Sequence, residues 1–252
     1  MFRGFLCAIV IAALAVGLRA QSWPPSLVAS FAAPPGAIDV AYEHGPLYAL
    51  ADGSPPTVYT LNAYNGSITG SFTVPVPSGA RGITYDAYGA ESIWVSNRIN
   101  RYVYRLTTAG SLAGSFACPG GAPYGLGYSY YNPQHGRGLF VTCRNENRIL
   151  NLNATTGSLL GSFAGPASAA LEYDDWFCVD RNSNYLYWDY NREWQVLDTL
   201  PARPWGVATN VMWPTDQWVQ VYVLCHDGYI YRYEGATAVA PASLGRIRAL
   251  YR

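Results

Sequence analysis

The side chains able to do chemistry are few and scattered. Histidines stand at His44, His135 and His226, all in turn-like stretches, none with a second histidine or a carboxylate at metal-ligand spacing. They read as solvated turn histidines. Glu172, Asp174, Asp175 and Asp180 form the one local acidic cluster, but a calcium loop needs closely spaced oxygen ligands and Asp174-Asp175 runs straight into Trp176. A Gly-x-Ser-x-Gly elbow, a phosphate-cradling glycine loop and a Cys/His nucleophile pair are all missing. These residues predict no catalytic group, no metal, no cofactor and no enzyme.

What remains is aromatic. The chain is 15% aromatic, with 21 Tyr and 8 Trp, so stacking on sugars or peptide side chains is the available chemistry. Tyr88, Tyr124, Tyr130, Tyr131, Trp205, Trp213 and Trp218 fall between or before the strands, where binding surfaces usually lie. They are the candidate binding surface. Tyr124 and Trp205 share a Pro-x-Gly setting, Pro123-Tyr124-Gly125 and Pro204-Trp205-Gly206.

The elements that must position these residues are strands. Gly82 to Phe116 reads as four strand-length runs, Ile83–Tyr85, Ile93–Ser96, Tyr102–Leu106 and Ser111–Phe116, bounded by Gly, Asn, Asp or Ser. The unit recurs: first strands align at Val40, Ile83, Leu126, Leu171 and Val207, at spacings of 43, 43, 45 and 36 residues. Second strands put Tyr48, Trp94, Phe140, Phe177 and Tyr222 at one equivalent position, and third strands put Tyr59, Tyr104, Tyr187 and Tyr231 at another. Fourth strands end alike at Gly70-Ser71-Phe72, Gly114-Ser115-Phe116 and Gly161-Ser162-Phe163, with Trp194 to Leu200 standing in for the fourth unit. Four antiparallel strands in about 40 residues is the size of one propeller blade. The repeated aromatics are expected to pack blade against blade.

These motifs (apolar-x-Tyr-Asp, an aromatic second strand, apolar-Tyr-x-Leu and Thr-Gly-Ser-Leu-x-Gly-Ser-Phe) resemble secreted bacterial β-propeller repeats of the NHL, YVTN and quinoprotein-like kind. The resemblance runs from about Ser26 to Gly235. It implies an all-β fold, a single β-propeller of about five four-stranded blades, and a role as binding platform, surface-layer part or, less often, enzyme.

The organisation follows. Residues 1–20 read as a signal peptide: Arg3, an apolar run from Phe5 to Leu18, and Ala20 before the expected cut, with the run too short for a comfortable membrane span. A lead segment covers 21–25 and the propeller 26–242, with blades at about 36–72, 79–116, 122–163, 168–200 and 204–242. Ser26–Phe31 copies the fourth-strand motif with no blade before it, so it is expected to close the last blade. The tail 243–252 is left over. Cleavage at Ala20 would leave 14 basic side chains, every one an arginine, against 16 acidic ones. That balance argues against nucleic acid or an anionic membrane as the main partner, and with the leader removed no membrane span is expected in the mature chain.

Secretion permits disulfides. Cys118 and Cys143 are expected at one rim of the third blade and paired; Cys178 and Cys225 share strand parity, point the same way around the ring, and are expected free and buried. Asn65-Gly-Ser and Asn153-Ala-Thr are formal glycosylation sequons on turns. The function expected is a secreted, non-enzymatic structural or self-assembling subunit at the cell surface, a homopolymer formed by strand pairing. The alternative is a module binding a surface glycan or a peptide, and a lyase or quinoprotein-like enzyme comes third.

Overall fold

Short β-branched and aromatic runs separated by turn residues pair into sheets of four strands. The structure is a computed structural model, and it describes residues 25–42, 45–86, 91–129, 136–143, 146, 148–165, 171–174, 177–190, 193–211 and 218–236. After β1 (Ser26–Ala32), blade one is β2 (Ala37–Ala41), β3 (Leu47–Ala51), β4 (Thr57–Leu61) and β5 (Ile68–Thr73). Blade two is β6 (Ala80–Asp86), β7 (Ser92–Asn97), β8 (Tyr102–Thr107) and β9 (Leu112–Ala117). Blade three is β10 (Pro123–Ser129), β11 (Gly138–Cys143), β12 (Arg148–Leu152) and β13 (Leu159–Ala164). Blade four is β14 (Leu171–Asp174), β15 (Phe177–Asp180), β16 (Tyr185–Tyr190) and β17 (Glu193–Thr199). Blade five is β18 (Pro204–Val211), β19 (Trp218–Cys225) and β20 (Tyr229–Ala236), completed by β1 in the order β1-β20-β19-β18. The protein is an all-β, five-bladed propeller closed by its N-terminal strand. The expected signal peptide, most of the lead segment and the tail lie outside the described residues, as does the part of the expected fifth blade after Ala236.

The core is distributed over the seams between blades, and strand parity decides which seam a side chain enters. Leu47 and Ala49 face blade five, whereas Tyr48 and Leu50 face blade two. Trp94, Phe140, Phe177 and Tyr222 likewise enter the seam with the following blade, as the repeat predicts. Cys178 packs with Phe140 and Ile149 of the preceding blade, and Cys225 with Phe177 and Val179 of its own preceding blade. Both therefore point the same way around the ring as buried thiols.

A second contact repeats at the outer rim. The turns between third and fourth strands carry Gly66, Gly110 and Gly157 at φ of 72°, 83° and 72°, a conformation that costs L-residues about 1–2 kcal/mol. A Cβ on each would strike a phenylalanine ring from the preceding blade: Phe31 at Gly66, Phe72 at Gly110 and Phe116 at Gly157. Phe31 of β1 thus does for blades five and one what Phe72 does for blades one and two. This explains why a Ser-Phe ending, Ala29-Ser30-Phe31, precedes the first complete blade.

Candidate functional site at the channel mouth

The inner strands β2, β6, β10, β14 and β18 touch in ring order and line the axis. Three of them open on the same pattern: Ala80-Arg81-Gly82, Pro123-Tyr124-Gly125 and Pro204-Trp205-Gly206. Pairing to the second strand slips at that point in each, between Ala80 and Ile83, Pro123 and Leu126, and Pro204 and Gly206. Such a bulge re-aims a side chain. Close approach demands the glycines: a Cβ on Gly82 would lie 3.0 Å from Leu126 N, and one on Gly206 would lie 2.8 Å from Asp39 Cα.

Side chains on neighbouring strands hold the bulges. Ser96 Oγ accepts from Gly82 N–H and donates to the Tyr124 carbonyl, both at 2.8 Å, and Thr142 Oγ1 accepts from Gly125 N–H at 2.8 Å. Blade one has Leu50 at the place of Ser96. There Asp39 takes over, its Oδ2 accepting from Ile83 N–H at 2.8 Å and its Oδ1 from Val40 N–H at 2.9 Å. Complete burial raises the Asp39 carboxyl well above the usual carboxylate range, against the pull of those two hydrogen bonds and of the Arg81 charge.

The re-aimed side chains meet. The Arg81 guanidinium carbon lies 4.8 Å from the Tyr124 ring centroid and 4.8 Å from that of Trp205. Arg181, from the turn after β15, lies 5.3 and 5.4 Å from the same two rings, and its Nη2 donates to the Ile38 carbonyl at 3.4 Å. All five blades contribute, and Arg81 touches a residue of a blade that is not its neighbour. Side chains of non-adjacent blades can meet only on the axis, so this cluster forms the channel mouth at the end where the inner strands begin. The ring of His226, after β19, lies against Trp205 with centroids 4.4 Å apart and the planes tilted by 42°, and the His226 backbone N–H donates to the Arg203 carbonyl at 2.8 Å. Partial desolvation, then the charges of Arg203 and Arg81, hold the imidazole below its ordinary value, so it is neutral at neutral pH while exposed to solvent.

Of the aromatic residues singled out in the sequence, the structure brings together Tyr124 and Trp205. Tyr88, Tyr130, Tyr131 and Trp213 lie outside the described residues, as do His44, His135 and Asp175; Trp218 is placed only as backbone of β19. Glu172 and Asp174 lie on β14, and Asp180 ends β15 with its Oδ1 accepting from Asn182 N–H at 2.8 Å. Cys118 and Cys143 are buried with Sγ atoms 3.8 Å apart; they are adjacent thiols here, and the expected bond between them is not formed. Both sequon asparagines serve turns: Asn65 Oδ1 accepts from Ser67 N–H and Asn153 Oδ1 from Thr155 and Thr156 N–H, each at 2.9 Å. Sequence reading missed Arg81, Arg181 and Asp39; it read His226 as a solvated turn histidine, which it is, without its ring contact to Trp205. The signal for Arg81 was present, because Ala80-Arg81-Gly82 stands in register with the two Pro-x-Gly openings. Arg181 and His226 lie in turns and carry no such mark.

No protein-family model and no curated protein sequence matches the chain. Solved structures do. Glutaminyl cyclase of Myxococcus xanthus is similar with a TM-score of 0.59 at 9% identity, over 84% of this chain and 97% of that one. A streptogramin B lyase matches at TM-score 0.46 and 16% identity over 84% of this chain and 88% of its own. A catalytically inactive virginiamycin B lyase of Staphylococcus aureus with quinupristin matches at 0.45 and 17%, over 81% and 71%. At such identities the likeness shows the fold. It also corrects the expectation that the chain is not an enzyme: a protein sharing this fold along 97% of its own length is one, so missing catalytic motifs do not exclude catalysis.

Proposed function

We propose that the protein is a secreted propeller enzyme, of the NHL, YVTN and quinoprotein-like repeat kind its motifs resemble, whose substrate enters the channel mouth beside Tyr124 and Trp205. His226 is the proton acceptor. The observation that carries the reading is the placement of an exposed, neutral imidazole on Trp205, in the same axial cluster as two guanidinium groups. A base poised neutral at working pH takes a proton from bound substrate, and fixed positive charge beside it stabilises the negative charge that develops. Secretion is supported by the apolar leader of residues 1–20.

The name of the similar Myxococcus protein supplies one probe, a glutaminyl peptide; esters, lactones and β-substituted carboxylates complete a panel followed by mass spectrometry. Turnover by the native chain and a loss of about 10²–10⁴-fold in kcat in His226→Gln, with KM little changed, are expected. Undiminished kcat in that variant overturns His226 as the base. Binding without turnover across the panel overturns the catalytic reading and leaves a module for peptide or glycan.

A second reading, self-assembly, is favoured by the blade edges. β1, β5, β9 and β13 contain no charged residue and no proline, and Leu27, Ile68, Leu112 and Leu159 on them are 48–54% exposed. Outer strands normally carry charge or proline to prevent pairing with other chains. β1 lies on β20 of its own chain, so pairing between edges, rather than donation of β1, is the route these edges support. Sedimentation at increasing concentration tests it: larger species are expected, and lysine at Ser71 and Ser115 on two edges is expected to abolish them.

A further inference from the structure

We infer that the channel mouth recognises an oxyanion, a carboxylate or a phosphate or sulfate group carried by the substrate, held by Arg81 and Arg181. The inference rests on the channel-mouth reading above and adds the charge of the ligand to it. Arg81 and Arg181 are 8% and 9% exposed, and arginine keeps its charge at every pH a protein survives. Their guanidinium carbons lie between 4.8 and 5.4 Å from the same two ring centroids, so two like charges share one aromatic enclosure. The π faces of Tyr124 and Trp205 attract the Arg81 cation without neutralising it.

Asp39 feels the Arg81 charge, yet it is poorly placed to balance it. Both of its oxygens already accept backbone N–H groups, from Val40 and Ile83, and its burial favours the neutral acid. Arg81 Nε, meanwhile, is buried without a hydrogen-bond partner among the described residues. A buried guanidinium nitrogen lacking an acceptor is costly unless a ligand supplies one. The planar fork of a guanidinium presents parallel N–H donors that match two oxygens of a carboxylate or phosphate. Tyr124 and Trp205 are half-buried, so their outer faces remain available to the apolar part of the same molecule. His226, exposed on Trp205, reports on the charge at this place, because Arg81 is among the groups that depress its titration.

The test is calorimetric titration of the full chain with N-acetylglycinate, inorganic phosphate and inorganic sulfate, each against neutral N-acetylglycinamide. NMR titration of the His226 ring, assigned by His226→Gln, runs beside it. Binding of an oxyanion is expected to raise the His226 titration midpoint by offsetting Arg81, to weaken with added salt, and to fall at least tenfold in Arg81→Gln and in Arg181→Gln. The neutral amide should not compete. Carboxylate binding alone points to a carboxylate-bearing substrate, and phosphate or sulfate binding alone to an ester of those acids; both support the inference. Should either glutamine variant fail to fold, the native-chain NMR titration decides by itself. The inference is overturned if no oxyanion moves the His226 midpoint, if binding survives both substitutions, or if the amide binds as tightly. A neutral substrate turned over with dependence on His226, and not displaced by oxyanions, would sink this inference while leaving the enzyme reading intact. Oxyanion binding with no turnover would do the reverse.

Discussion

Asp39 shows how much one substitution in a repeat can change. Where the second and third blades use Gly with Ser96 or Thr142, the first blade uses a buried carboxyl group that ties Ile83 of the next blade to its own strand. Asp39→Ala leaves two buried N–H groups unsatisfied and is expected to cost about 2–4 kcal/mol, read from urea unfolding. Its pH behaviour has a definite sign. Because the folded carboxyl group holds its proton more tightly than the unfolded one, with its ordinary value of 3.8, its contribution to stability is fully present below that value and declines as pH rises towards the raised one. Asp39→Asn removes this slope, so the difference in Tm between the native chain and the variant should shift steadily across that window. A difference that stays constant with pH would show that the carboxyl group titrates normally.

The same economy holds for whole elements. The turn glycine and the phenylalanine of the preceding blade form a latch in which each half requires the other: the left-handed φ excludes most residues, and the ring excludes a Cβ. Gly110→Ala is expected to cost roughly 2–4 kcal/mol, the sum of backbone strain and displacement of Phe72, in thermal or chemical unfolding. A cost below 1 kcal/mol would mean that the ring moves aside freely. Between Cys118 and β11 the contact is chemical. The Sγ–Sγ contact lowers the titration of Cys118 and raises that of Cys143, making Cys118 the better nucleophile of the pair. Treatment with an azodicarboxamide oxidant is expected to remove the free thiols of Cys118 and Cys143 and spare Cys178 and Cys225, as counted by mass mapping. Persistence of the first two as thiols would argue against the disulfide.

At the scale of the molecule, closure depends on β1. Its residues Ser26 to Ala32 pair with Glu234 to Tyr229, and Phe31 enters the seam shared by blades five and one with Val40, Leu47 and Tyr222. Phe31→Ala should therefore destabilise the whole ring by about 3–5 kcal/mol, as for other buried phenylalanines, and unfolding should remain a single transition. An opened fifth blade on an otherwise folded ring, seen by hydrogen exchange confined to β18–β20, would show that closure is local. The ring also makes the site. Arg81, Tyr124 and Trp205, 43 or more residues apart in sequence, converge at the mouth because β6, β10 and β18 each point a bulge at the axis.

The blades, their number and the closing strand were legible in the sequence because each rests on a local pattern repeated in register. Alternation selects the seam in all five blades, and in the first three a turn glycine and a Gly-Ser-Phe ending mark the outer strand, so the copies reinforce one reading. The resting places of Tyr124 and Trp205 were half legible, through their Pro-x-Gly setting. Arg81, Arg181, Asp39 and the ring contact of His226 were not, since nothing local distinguishes an arginine at a bulge from one in solvent, or a histidine lying against Trp205 from one in an open turn. Their partners come from other blades. Only closing the ring brings those blades to a common axis, and the chemistry of the mouth exists only there.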